Sequence, residues 1–199
     1  MPTLSDKLKS LGVKVGKAGL TQTPKRKYPI ESLVDGELQE TAYGETFVVD
    51  KLYPLDHQQG NSILALDAPL DMLATWARDD QIASFAPENF AFLDTETTGL
   101  AGGSGTYAFM VGVGRFEQDG FRLVQFFLRD PIEEPALLAG LEEFLAPAKS
   151  LVTFNGKAFD VPLLDARYIT NAAPTPLKGM AHVDMLHLAR RLWKNRLPS

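Results

Sequence analysis

Phe92-Leu-Asp94-Thr-Glu96-Thr-Thr-Gly99-Leu100 is the stretch that carries the most chemistry in this chain. It continues an apolar run, Phe90-Ala-Phe-Leu, with the composition of a buried strand. Side chains alternate between the two faces of a strand, so Asp94 and Glu96, two apart, point the same way. Two carboxylates at a strand end suit a hard divalent cation: Mg²⁺ takes one or two protein carboxylates and completes its shell with water and phosphate oxygens. Thr97, Thr98 and Gly99 follow, with short side chains and a permissive backbone that suit close approach of a nucleotide sugar or phosphate. Surface strands also end in acids without binding anything, so the pair gains its weight from what lies downstream.

Downstream is a second strand-to-helix passage, Leu151-Val-Thr-Phe-Asn155-Gly-Lys157-Ala-Phe159-Asp160-Val-Pro-Leu-Leu164. Asp160 falls in or near the first turn of the helix, where the helix dipole favours an ionised carboxylate. Simple capping is the structural alternative, and Asn155 can serve only as a turn former. Beside Asp94 and Glu96, Asp160 becomes a third candidate ligand. Lys157 and Arg167 are candidate phosphate contacts.

The surrounding pattern is α/β. Residues 107–116 and 121–128 read as strands joined by the turn signal Glu117-Gln-Asp-Gly120. Residues 133–145, 159–169 and 184–194 have helical spacing, and residues 151–154 form another buried strand. Upstream, residues 40–53 read as a strand and Asp67 as the cap of a helix that starts near Pro69. Strand, strand, strand, helix, strand, helix, short strand and helix is the order of a mixed sheet flanked by helices. Three segments follow: a flexible basic arm over 1–30, an extension with a strand and a helix over 31–88, and an α/β domain over 89–199.

The chain has 199 residues, no cysteine and a net charge of -5. Absent cysteines exclude a disulfide scaffold, thiolate zinc sites, iron–sulfur clusters and a cysteine nucleophile. Charge is uneven: residues 1–30 carry seven basic groups and one acid, residues 31–180 carry 9 and 23, and residues 181–199 carry four and one. Basic ends around an acidic middle are compatible with a phosphate-rich partner and a carboxylate-rich site. No apolar run approaches the roughly 20 residues of a membrane helix, and a soluble cytoplasmic protein is expected. His182 and His187, five apart, lack the i, i+4 spacing of a helical zinc pair and read as ordinary structural or surface histidines. Gly102-Gly-Ser-Gly-Thr106 lacks the lysine of a phosphate loop and reads as a loop between strands.

Taken together, LDTETTGL (93–100), FNGKAFDVPLL (154–164) and HVDMLHLARRLW (182–193) resemble the DEDD exonuclease branch of the RNase H-like superfamily, and within it the YprB-type RNase H-like domain family of bacteria. The resemblance covers about residues 89–199. It implies a five-stranded mixed sheet flanked by helices and a 3′–5′ exonuclease acting on RNA or DNA through two divalent ions, Mg²⁺ or Mn²⁺. The family's first motif matches Asp94 and Glu96; its second matches Asp160, with Asn155 at the polar position before it. Thr97, Thr98, Gly99 and Leu100 would then hold the terminal nucleotide, Leu100 against a base. The third motif, which would bring a fourth carboxylate and a His or Tyr general base, is expected beyond the Asp184 region. The chain thus reads as truncated before it or as taking its last ligand from elsewhere. Asp184, the nearest acid, is a secondary metal candidate. Two other readings stay open: a non-catalytic nucleic-acid-binding module on a degenerate nuclease fold, and a metal-dependent endonuclease of the same superfamily.

Overall fold

Alternating β-forming segments pair into one mixed sheet in the computed structural model, which describes residues 29–64, 69–99 and 105–194. The chain divides into two units, Met1–Leu33 and Val34–Ser199. Of the first, residues 29–33 are described and hold a 3₁₀ turn, Ile30–Ser32. Most of the basic arm therefore lies outside the described residues. In the second unit the strands and helices run β1 (Glu37–Thr41), β2 (Gly44–Pro54), β3 (Gln58–Gln59), β4 (Ser62–Ile63), α1 (Leu70–Ala77), β5 (Phe90–Thr97), β6 (Ala108–Glu117), β7 (Gly120–Phe127), α2 (Glu134–Leu145), β8 (Ser150–Thr153), α3 (Asp160–Thr170), β9 (Ala181–Asp184) and α4 (Met185–Leu192). No described helix is long and apolar enough to cross a membrane.

The sheet order is β1-β2-β7-β6-β5-β8-β9. Its β1 to β5 side is antiparallel, and β5, β8 and β9 run parallel. The five strands β7-β6-β5-β8-β9 form the mixed α/β sheet expected from the sequence, with β5 at its centre. Two further strands extend it. The single strand read over 40–53 is a hairpin, turning at Ala42 and Tyr43, where Gly44 takes φ +112°. Thr41 fastens that turn, its hydroxyl donating to the Gly44 carbonyl at 2.7 Å. Pro69 occupies the N-cap position of α1; Asp67, expected there, lies outside the described residues.

Alternation along β5 sorts its side chains into two cores. Ala91 and Leu93 join Val111, Val113, Val124 and Phe126 beneath Leu137, Leu141 and Leu145 of α2 and Leu164 and Tyr168 of α3. Phe90 and Phe92 pack on the other face with Val152, Val183, Ala74 of α1 and Leu188 of α4. Full burial of a side chain such as Leu141 or Leu145, both 0% exposed, stabilises by about 1.5–3 kcal/mol. This double-sided packing fixes the register of β5, because a slip by one residue would exchange every side chain between faces. Carried forward, the alternation puts Asp94 and Glu96 in the Phe90 and Phe92 series and Thr95 in the other. The carboxyl ends of β5, β8 and β9 lie at one edge of the sheet, the usual place for ligands in an open α/β sheet.

Candidate functional site

Asp94 and Glu96 leave the apolar part of β5 and are exposed. They pair across the sheet with Gly112 and Met110. The register slips immediately after Glu96, so that Thr97 faces Ala108. Such a bulge bends the strand and re-aims its last side chains. Beyond it, Thr97 Oγ1 donates to the Gly99 carbonyl at 3.0 Å. The Thr98 amide donates to the Tyr107 carbonyl at 3.0 Å, and the Tyr107 amide donates to Thr98 Oγ1 at 3.1 Å. The threonines proposed for substrate thus hold the turn as well. Leu100 and the glycines at 102 and 103 lie outside the described residues.

Asp160 is the first residue of α3 and only 3% exposed. Thr95 Oγ1, itself buried between the two acids of β5, donates to Asp160 Oδ1 at 2.5 Å. Burial pushes the Asp160 carboxyl above the ordinary carboxylate range; the Thr95 hydrogen bond opposes this, and the charge of Asp94 adds to it. Asp160 and Asp94 are therefore brought within electrostatic reach of each other, with like charge.

Asp184 sits where β9 becomes α4 and is 4% exposed. Its Oδ1 accepts from the amides of Asn155 at 2.8 Å and Leu186 at 3.0 Å, and its Oδ2 from the amide of Lys157 at 3.1 Å. Burial pushes this carboxyl up, but the three amides outweigh it and hold it below the ordinary range. Three of roughly four acceptor positions on the carboxylate are occupied by backbone. Asp184 is thus the tie that holds the loop between β8 and α3. Asn155 and Lys157 are exposed on that loop, Asn155 in the left-handed region at φ +68°. Gly156 is needed for close approach: a Cβ there would lie 2.5 Å from the Thr153 side chain. Thr153 Oγ1 in turn lies 2.8 Å from His182 Nε2. Burial lowers the pKa of His182, and Lys157 lowers it further. His182 is a half-buried structural histidine, as its spacing suggested.

Arg167 is not a phosphate contact. It is 4% exposed, and its Nε and Nη2 donate to Glu134 Oε1 at 2.6 Å and Oε2 at 2.5 Å. Its guanidinium lies 4.2 Å from the centre of the Tyr107 ring. The reason is helical spacing: residues 160, 163, 164, 167 and 168 form the buried stripe of α3. Glu134 is the other half of this pair and also accepts from Asn171 at 2.7 Å. Arg167 thereby backs Tyr107, which holds Thr98.

Among the described residues, no three His, Asp or Glu side chains are gathered closely enough to hold a metal as they stand. The chemistry of Asp94, Glu96 and Asp160 nevertheless fits a hard cation. All three offer oxygen alone, and Asp160 is pushed toward protonation by burial and by Asp94, a cost that a bound cation would relieve. Thr95 and the amide ties of Asp184 are the parts of this site that motif reading missed. A threonine between two strand acids gives no local signal of its bond to a residue 65 positions away.

Residues 91–199 match a family model, RNase_H_2, described as RNase_H superfamily. The chain is also 35% identical over 153 residues to the "Uncharacterized protein YprB" of Bacillus subtilis (strain 168), an alignment covering 73% of this chain and 36% of that protein. The chain thus spans well under half the length of the curated relative it matches.

Proposed function

This chain belongs to the RNase H superfamily, and from that premise we propose that it is a 3′–5′ exonuclease that hydrolyses phosphodiester bonds of RNA or DNA with two divalent ions, Mg²⁺ or Mn²⁺. Asp94, Glu96 and Asp160 would hold the ions, which when bound would supply charge neutralisation at the phosphate and make a water easier to deprotonate. A water oxygen bonds to phosphorus while the bond to the 3′ oxygen of the preceding nucleotide breaks, and that oxygen takes up a proton. Asp94 and Glu96 project from the bulged end of β5, and Thr95, between them in sequence, ties Asp160 to the same strand end. Thr97, Thr98, Gly99 and Leu100 bind the terminal nucleotide, and Asn155 and Lys157 approach its phosphate from the next loop. Residues 89–199 carry this activity, with residues 31–88 as an extension. The basic residues of 1–30 add backbone attraction, which weakens as salt rises.

The observation that carries the reading is the pair of exposed carboxylates, Asp94 and Glu96, at the bulged carboxyl end of β5, with Asp160 tied to Thr95 between them in sequence. A second reading, binding without cleavage, draws on the absence of a gathered three-ligand set among the described residues. End-labelled single-stranded RNA and DNA incubated with Mn²⁺ separate these readings. A ladder of progressively shorter products that disappears in Asp94→Ala supports the exonuclease. Internal cuts point to an endonuclease, and retention on a gel without cutting points to the binding module. Cleavage that survives in Asp94→Ala would falsify the assignment of the site.

A further inference from the structure

Arg167 and Glu134 form a buried ion pair, 4% and 5% exposed, to which the proposed chemistry gives no role. The guanidinium fork meets both carboxylate oxygens, Nε to Oε1 at 2.6 Å and Nη2 to Oε2 at 2.5 Å, and Asn171 Nδ2 donates to Oε2 at 2.7 Å. Held in this way, the guanidinium lies over the Tyr107 ring, 4.2 Å from its centre. Tyr107 stands just before Ala108, the residue of β6 that pairs with Thr97. The register of β5 with β6 slips between Glu96 and Thr97, and the pair of Thr97 with Ala108 is the last of that ladder among the described residues. Beyond it the strand end is closed by the Thr98 amide on the Tyr107 carbonyl at 3.0 Å and the Tyr107 amide on Thr98 Oγ1 at 3.1 Å. The buried stripe of α3 that carries Arg167 also carries Asp160, to which Thr95 donates. One helix face therefore holds the end of β5 on both sides of the bulge, at Thr95 through Asp160 and at Thr98 through Arg167 and Tyr107.

A buried ion pair is a poor source of stability. Stripping water from both charges offsets their attraction, and apolar residues of similar volume often replace such a pair without loss. What a two-pronged pair supplies is direction, because the planar fork accepts one geometry and keeps the guanidinium over the ring it covers. We propose that Arg167 and Glu134 are positioning residues that fix Tyr107, and through it the Thr97–Gly99 turn, so that the turn is set for the nucleotide end before it binds. This rests on the nuclease reading above and goes beyond it, to residues that touch neither ion nor substrate. A turn fixed in advance lowers the ordering cost of binding. The Thr95 bond to Asp160 does not pass through the pair. The pair therefore acts on KM and affinity and leaves kcat and stability nearly unchanged.

The test uses two variants. Glu134→Leu with Arg167→Met removes both charges together and leaves neither unpaired. Tyr107→Leu keeps the ion pair and removes the ring it acts through. Urea unfolding measures stability, fluorescence anisotropy of a fluorescein-labelled oligonucleotide in Ca²⁺ measures affinity, and steady-state cleavage in Mn²⁺ separates KM from kcat. The double variant should unfold at or above the wild-type urea midpoint. Its affinity should fall and its KM rise about tenfold, within the range in which residues of one hydrogen-bonded network couple, with kcat little changed. Tyr107→Leu should show the same rise in KM. In a Thr98→Val background, where the side-chain bond to the Tyr107 amide is already gone, the double substitution should add less than it does to the wild type. A folded double variant with wild-type KM overturns the proposal, and so does an equal rise in KM on both backgrounds. Should the double variant not fold, Tyr107→Leu decides by the same KM criterion. Cleavage by Asp94→Asn is followed alongside. Cleavage that survives in it overturns the nuclease reading, while affinity in Ca²⁺ still tests the pair. Cleavage lost in Asp94→Asn together with unchanged KM in the pair variants overturns the positioning role alone.

Discussion

Asp160 and Asp184 open consecutive helices at one edge of the sheet and are buried alike, 3% and 4% exposed. Their carboxyls are nonetheless pulled in opposite directions. Asp184 collects three backbone amides, which overcome burial and keep it ionised. Asp160 has the Thr95 hydroxyl, smaller help from the backbone amides of Thr95 and Asp160, and an acidic neighbour, and burial prevails. Burial alone therefore does not say what an acid is for. An acid held by amides that outweigh its burial organises its loops, while one whose hydrogen bonds do not offset burial and an acidic neighbour is a candidate for a bound cation. By this criterion we propose the second motif as the source of a ligand, while the Asp184 region holds the loop before it.

The comparison is tested most severely by activity. Asp160→Asn removes a charge from the ion site and should lower Mn²⁺-dependent cleavage by about a thousandfold, the rate equivalent of the several kcal/mol that a metal supplies to the transition state. Asp184→Asn leaves the three candidate ligands in place and loosens the loop that precedes Asp160. Its loss should be about ten- to hundredfold, the range for a group that orients ligands without touching the ion. Single-turnover rates of the two variants check this. Equal losses would remove the distinction between ligand and support.

Stability should reverse the order. Asp184→Ala leaves buried amides unpaired and should destabilise the protein by about 3 kcal/mol in urea unfolding. Asp160→Asn keeps an acceptor for Thr95 and removes a buried charge, and in metal-free buffer at pH 7 it should stabilise by about 1 kcal/mol, as loss of a functional strain often does. The pH dependence follows the same signs. The folded Asp160 binds its proton more tightly than the unfolded chain, so stability falls as pH rises from 3.8 through its raised pKa. The folded Asp184 binds its proton less tightly, so its contribution is present above 3.8 and is lost as pH falls through its lowered pKa. A destabilised Asp160→Asn protein at pH 7 would contradict the view of Asp160 as a carboxylate awaiting a cation.

Much of this was readable from spacing. Apolar residues followed by Asp94 and Glu96 two apart identify the strand and its shared face, and the stretch from Asn155 to Asp160 identifies the helix start. The α/β order of elements is likewise visible in periodicity. What escaped depends on register between distant segments. Asp184 reaches Asn155 and Lys157 because β9 pairs with β8, Thr153 beside Asp184, and no local pattern records that pairing. The Thr95 bond to Asp160 is hidden in the same way. Arg167 is a different kind of miss: its place among Leu163, Leu164 and Tyr168 on the inward stripe of α3 was available from the helical period, but an arginine with a buried partner 33 residues away reads as an exposed cation. In the N-terminal hairpin, exposed side chains on both strands weaken the apolar alternation that would have marked the turn at Tyr43.

The smallest expected effect lies at His182, two residues before Asp184 on β9. Its ring lies against Thr153 behind the loop that Asp184 holds. Burial and Lys157 lower its pKa below the ordinary 6.5, while Asp184 pulls the other way. The unfolded chain therefore binds a proton more readily than the folded one. The stability tied to neutral His182 is present above about pH 6.5 and is lost as pH falls through the lower folded value. His182→Gln can keep a hydrogen bond to Thr153 but cannot titrate. Urea unfolding at pH 7 and pH 5 should show the wild type losing about 0.5–1 kcal/mol more than the variant, the scale of one hydrogen bond. His57 and His187 are common to both proteins and cancel in the difference. Identical slopes would mean that His182 binds its proton equally well in the folded and unfolded chain, with Asp184 balancing burial and Lys157.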